Sequence, residues 1–226
     1  MPSLTVTFDA HDAVRVARFW AGLLGREVAE GVFLPGEVSL RFVSSDTAKT
    51  VRNRVHLHLT SASLFDQQGT VAKALELGGA HLDVGQRPEE GHIVLADPEG
   101  NEFCVIEPGN KFLAGCGFLG ELACEGTRDV GLFWSRALGW PLVWDENEET
   151  AIQSPYGGTK VAWGGPPVAP KEGRNRQRFE FTAGDLDAEV ARLVALGATR
   201  LGSERDGAGI ELADPGGNEF AVRPAR

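Results

Sequence analysis

Several things are scarce in this chain of 226 residues, and each scarcity closes off a class of function. Its three cysteines, Cys104, Cys116 and Cys124, are odd in number and show no CxxC spacing, so neither a disulfide framework nor a zinc ribbon is encoded. No apolar run approaches the ~18 residues of a membrane span. Met1-Pro2-Ser3-Leu4-Thr5 leads straight into strand-like sequence without a charged leader, so the expected compartment is the cytoplasm. Positive charge is in deficit: the net charge is -10 and the pI about 5.0, the reverse of what a nucleic-acid binder carries. There is no GxSxG elbow, no GxxxxGK[ST] phosphate loop and no GxGxxG after a strand. The five histidines (His11, His56, His58, His81 and His92) all fall in the first half.

What is present is repetition. Ala96-Asp97-Pro98-Glu99-Gly100-Asn101-Glu102-Phe103 returns as Ala213-Asp214-Pro215-Gly216-Gly217-Asn218-Glu219-Phe220, 117 residues later. Each copy lies between apolar runs and reads as strand, tight turn, strand, with proline and glycine at the bend. Phe19-Trp20 is answered by Phe133-Trp134, and Asn53-Arg54 by Asn175-Arg176. One design is used twice. Two units of about 110 residues match the usual domain size, and 42% hydrophobic with 24% charged residues is ordinary globular composition. The predicted boundaries are a first domain over 1–109, a linker over 110–117 and a second domain over 118–226.

Within each half the pattern of strand, helix and three strands occurs twice. Leu4-Thr5-Val6-Thr7-Phe8-Asp9 alternates as a strand, Asp12 is placed as a helix cap, and Ala13, Val16, Ala17, Trp20 and Leu24 recur at helical spacing before Gly25. Arg26–Glu30, Val32–Leu34 and Val38–Val43 follow as strand candidates. Val55-His56-Leu57-His58-Leu59 opens the second module; its helix, near Asp66–Leu77, carries Val71, Ala74 and Leu75 inward. Asp185 caps the fourth helix, with Leu186, Val190, Leu193 and Val194 as its stripe.

Four βαβββ modules in two pairs, each pair ending in Asp-Pro-x-Gly-Asn-Glu-Phe, resemble the vicinal oxygen chelate superfamily. That superfamily includes glyoxalase I, extradiol dioxygenases, fosfomycin-resistance enzymes and bleomycin-binding (bleomycin resistance) proteins. The resemblance implies an α+β fold of tandem glyoxalase-like domains whose module pairs curl into open barrels with ligands on the concave face. It also implies, for enzymatic members, a metal held by His or Gln on a module's first strand and Glu on its last.

Period-two alternation turns His56 and His58 toward that face, with Glu102, Cys104, Ser39 and Arg41, and sends the intervening apolar residues toward the helices. Aligned on Phe19-Trp20, the family's ligand positions fall at Thr5, at His56, at Cys104 and near Ser39 or Arg41; only His56 is a ligand residue at a ligand position. In the second half Arg178 answers His56 and Glu180 answers His58. Arg178, Glu180 and Glu219 read as an ion-paired network or an anion site. Trp140, Leu142 and Trp144 are expected on one strand face with Trp163 nearby, either as ordinary core or as a platform for a planar ligand.

The expected ligand-binding set is therefore Thr5, Arg41, His56, His58, Trp140, Trp144, Trp163, Arg178 and Glu180. The leading expectation is a protein that binds or sequesters a small organic molecule, without a metal cofactor and as monomer or homodimer. Its rival is a lyase, isomerase or dioxygenase using a divalent metal on His56, His58, Glu102 and Cys104. A scaffold with vestigial clefts is the third class.

Overall fold

A computed structural model describes residues 4–87, 89–204 and 208–225; the opening Met1-Pro2-Ser3 and the outer limits of the two expected domains lie outside it. The first module holds β1 (Thr5–Ala10), α1 (Ala13–Leu24), β2 (Phe33–Leu34) and β3 (Ser39–Ser44). The second holds β4 (Val55–Leu59), α2 (Leu64–Glu76), β5 (Ala80–His81), β6 (Ile93–Ala96) and β7 (Glu102–Val105). The third holds β8 (Leu119–Cys124), α3 (Arg128–Leu138), β9 (Leu142–Glu146), β10 (Glu149–Gln153) and β11 (Lys160–Trp163). The fourth holds β12 (Gln177–Ala183), α4 (Leu186–Ala195), β13 (Thr199–Ser203), β14 (Ile210–Ala213) and β15 (Glu219–Pro224). No helix among the described residues is long and apolar enough to cross a membrane.

The helix ends follow local chemistry. Asp12 accepts a hydrogen bond from Arg15 N at 2.9 Å, Asp185 accepts from Ala188 N at 3.0 Å, and Gly25 and Gly139 close α1 and α3 in the left-handed region. Three local expectations are corrected. Arg26–Glu30 is not a strand: Glu30 and Gly31 turn with positive φ, leaving one bridge between Ala29 and Phe33. The second helix starts at Leu64, capped by Ser63 rather than near Asp66. Leu75 and Val194 point to solvent, since the inner face of each helix is narrower than its apolar count suggests.

The strands form two open sheets. The first has the order β13-β14-β15-β12-β1-β3-β2 and the second β5-β6-β7-β4-β8-β11-β10-β9. Each sheet joins two modules, but the partners come from different halves of the repeat. β1 lies antiparallel to β12, pairing Thr5 with Glu180 and Thr7 with Arg178. β4 lies antiparallel to β8, pairing His56 with Ala123 and His58 with Glu121.

The helix layer ties together what the sheets separate. Trp20 on α1 belongs to a module of the first sheet, yet its ring meets Phe103 of the second sheet at 5.0 Å. Trp134 on α3 does the reverse, meeting Phe220 at 4.9 Å. Both indoles are buried, as are Phe19, Phe103, Phe181 and Phe220 around them. Leu113 in the connection between halves is buried with Val94, Cys104 and Ile106, and Phe112 and Cys116 pack alongside, so this segment covers part of the second sheet's concave side.

Candidate functional site

The two concave faces differ in chemistry. On the first sheet, Thr5, Arg41, Arg178 and Glu180 come together on one face, and the charged ones are engaged with protein partners. Arg178 holds both oxygens of Asp9, at 2.7 and 2.8 Å. The Glu180 carboxylate, almost wholly buried, accepts from Arg41 Nε at 3.2 Å and Thr7 Oγ1 at 3.2 Å and pairs with Arg223 at 3.0 Å. Thr5 is buried opposite Glu180 and Ser39. Burying these charges is tolerable because each meets a partner.

On the second sheet the residues opposite and beyond His56 are small. Ala123 faces His56, Ala162 faces Ala123, Ala151 faces Ala162, and Trp144 closes the row. Between the imidazole and the indole, Ala123 and Ala162 floor a hollow of about 410 Å³, lined also by Arg54, His56, Phe112, Glu121, Trp144 and Trp163. Phe112, from the connecting segment, meets Trp144 edge-on at 5.9 Å, and the Lys160 ammonium lies 4.5 Å from the centre of the Phe112 ring.

Trp144 points into this hollow because of a bulge. The register runs Ala151 to Trp144 and then Ile152 to Leu142, so Val143 is an extra residue. Trp144 therefore faces the alanines while Leu142 packs on the core. This corrects the expectation that Trp140, Leu142 and Trp144 share a face. Trp140 precedes β9 and is buried in the core, with its carbonyl accepting from Ser135 Oγ at 2.7 Å. Trp163 is also core: a Cβ on Gly126 would come within 2.6 Å of its ring, and it reaches only the margin of the hollow.

The two histidines have opposite characters. Burial lowers the pKa of His56, outweighing the pull of Glu102 and the Asn53 backbone, so its ring is neutral near pH 7. Its Nε2 is buried without a hydrogen-bond partner. Burial also disfavours charge on His58, but hydrogen bonds to Cys104 and Glu121 outweigh it and push its pKa up to about 10. His58 Nδ1 lies 2.7 Å from Glu121 Oε2, so the pair is an imidazolium on a carboxylate.

These commitments decide whether the residues fit the metal that the fold's enzymatic members use. Glu102 accepts from Lys49 Nζ at 2.6 Å and from Asn53 N at 3.3 Å. His58 is protonated against Glu121. Among the described residues no group of three His, Cys, Asp or Glu side chains is arranged to hold a metal ion. The set His56, His58, Glu102 and Cys104 does not fit one, because two of its members are spent on ion pairs.

The repeated hairpin has a structural task. Asp97 Oδ2 accepts from Trp20 Nε1 at 3.1 Å, and Asp214 Oδ2 from Trp134 Nε1 at 3.1 Å. Asn101 and Asn218 fold back on these carboxylates and accept in turn from Asn53 and Asn175. Lys49 with Glu102 is repeated as Lys171 with Glu219 at 2.8 Å. Burial raises the pKa of Asp97 and Asp214, against the donors gathered round them. Both hairpins are latches that fasten the helix layer of one sheet to a hairpin of the other.

Alternation alone would have placed Glu121 and Ala123 on the concave face, since Leu122 between them is apolar. Phe112 carried no such signal, because the connecting segment has no period.

A model of the glyoxalase-like domain matches residues 5–106 and again 121–223. Among solved structures, glyoxalase I from Zea mays superposes with a TM-score of 0.63 at 14% identity, covering 99% of this chain and 93% of that one. A candidate dioxygenase from Bacillus subtilis superposes with a TM-score of 0.61 at 12% identity, covering 97% and 84%. At such identities the likeness is one of fold. No curated protein matches the sequence. With both halves matched by one family model, and the four βαβββ modules and paired hairpins in place, the chain belongs to the glyoxalase-like family of the vicinal oxygen chelate superfamily.

Proposed function

We propose that this protein binds a small, planar, hydroxylated organic molecule in the hollow of the second sheet and holds it without a metal. The observation that carries the reading is the alanine row between His56 and Trp144, which leaves about 410 Å³ on the concave face, the range of pockets for small ligands. A flat ring stacks on Trp144 and Phe112 and fills the space above Ala123 and Ala162. A neutral imidazole offers Nε2 as donor or acceptor according to its tautomer, and a ligand hydroxyl satisfies either. On the first sheet, in this reading, Arg41, Arg178 and Glu180 are spent on ion pairs across the face.

Trp144 is the most exposed of the indoles and is the reporter. A panel of hydroxylated aromatic metabolites and antibiotics should contain compounds that quench tryptophan fluorescence saturably. Trp144→Phe should remove that signal, and Ala162→Leu should abolish binding by filling the hollow. His56→Ala should weaken binding about 3- to 10-fold, the worth of one neutral hydrogen bond. Unimpaired binding to the Ala162→Leu variant would overturn the proposal. A stoichiometric divalent ion retained by the native chain and lost in His56→Ala would favour the metal-dependent enzyme instead.

A further inference from the structure

The second feature that calls for a ligand lies where the two halves of the repeat meet, and its lining shares one residue, Arg54, with that of the concave hollow. The segments leading into β4 and β12 run past each other, and a pocket of about 200 Å³ opens between them. Its walls repeat as the sequence repeats: Arg52, Asn53 and Arg54 from one half, Arg174, Asn175 and Arg176 from the other. Arg54 and Arg176 are buried and form the inner pair, while Arg52 and Arg174 are exposed and form the rim.

Four guanidinium groups around one small pocket are out of character in a chain with a net charge of -10. Their neutralisation is incomplete. Arg54 is held by two uncharged acceptors, Asn218 Oδ1 at 2.7 Å and the Ala169 carbonyl at 2.6 Å. Arg176 donates to the carbonyls of Thr47 and Asp9, has a carboxylate of Glu99 only at 3.5 Å, and keeps a buried Nε without a partner. Arg174 pairs with Glu211. Arg52 has no ion-pair or hydrogen-bond partner among the described residues. Bonds to carbonyls fix a guanidinium in place and leave its charge intact, which preorganises it for an anion.

We propose that this pocket is a binding site for a small phosphoryl anion, distinct from the concave hollow in all of its lining but Arg54. Arginine's planar fork matches phosphate oxygens two at a time, and two related pairs facing one another suit a ligand with oxygens on both sides, such as a phosphate or a diphosphate. A polyanion such as nucleic acid is disfavoured, because the chain as a whole carries a net charge of -10 and repels it. Glu172 on the lining sets an upper limit on affinity by repelling the same charge.

Isothermal titration of the whole chain with inorganic phosphate and, separately, pyrophosphate at constant ionic strength tests the site. One saturable site per chain is expected; tighter binding of pyrophosphate identifies a diphosphate group as the preferred ligand, and equal binding a single phosphoryl group. Arg52→Gln and Arg174→Gln, both on the exposed rim, should each weaken binding at least about tenfold, and Glu172→Gln should strengthen it. Circular dichroism of the variants checks that they fold. Trp144→Phe should leave anion binding unchanged, which keeps this result independent of the concave hollow. Absence of saturable heat with both anions, or unchanged affinity in the Arg52→Gln/Arg174→Gln double variant, would overturn the assignment.

Discussion

His56 and His58 stand two residues apart on one strand face and were alike in the sequence, yet they do different things. Alternation was enough to turn both toward the concave side. What it lacked was the opposite strand: Ala123 facing one ring leaves it neutral and unpaired, and Glu121 facing the other holds it charged. The charged pair has a measurable signature. His58 titrates near 10 in the folded chain and near 6.5 when unfolded, so its stabilisation is complete below about pH 6.5 and disappears as the pH rises through 10. The difference in urea-unfolding free energy between the native chain and His58→Gln should be about 3 kcal/mol at pH 6, since an unpaired carboxylate is left behind, and should shrink steadily toward pH 10. A difference that does not vary with pH would refute the charged pair.

At the level of elements, the modules were legible because their signals are local: caps, periodicity and a turn with proline and glycine. The elements that escaped were those whose fate depends on something remote. Counting in twos puts Trp140 and Trp144 on one face, and a single extra residue opposite Ala151 and Ile152 separates them. The hairpin was legible as a turn, whereas its purpose was hidden, because its partner indole lies 77 residues earlier in one half and 80 in the other. Asp97→Ala orphans the donors of Trp20, Glu99 and Asn101 and should cost at least about 2 kcal/mol. Asp214→Ala should cost a similar amount. Asp97→Asn should also destabilise, because an amide nitrogen would then confront donors. Chemical denaturation of the three variants measures this, and a neutral effect of Asp97→Ala would show that the latch is ornamental.

Across the whole molecule, the sequence repeat is continuous in halves while the sheets are continuous across them. The family-model matches, 5–106 and 121–223, follow the repeat; the pairings of β1 with β12 and of β4 with β8 cut through it. No local signal distinguishes a strand that pairs with its own half from one that pairs with the other, so the exchange could not be read in advance. It does make a prediction about fragments. Residues 1–109 produced alone would carry β1 and β4 as unpaired edges, each a template for another chain. The fragment should self-associate, as a dimer or larger species in light scattering, and mixing it with residues 110–226 should restore a one-to-one complex. A folded, stable monomer of 1–109 would contradict the exchanged architecture.

That exchange also bears on how the two faces came to differ. A half-length chain pairing with a copy of itself would build two identical clefts, and any substitution in one would be inherited by the other. Joined end to end, the halves vary independently. Glu180 and Arg178 could be fixed on one face while His58 and His56, their counterparts, were kept on the other. One cleft has been given over to cohesion, and the other is left with room for a guest.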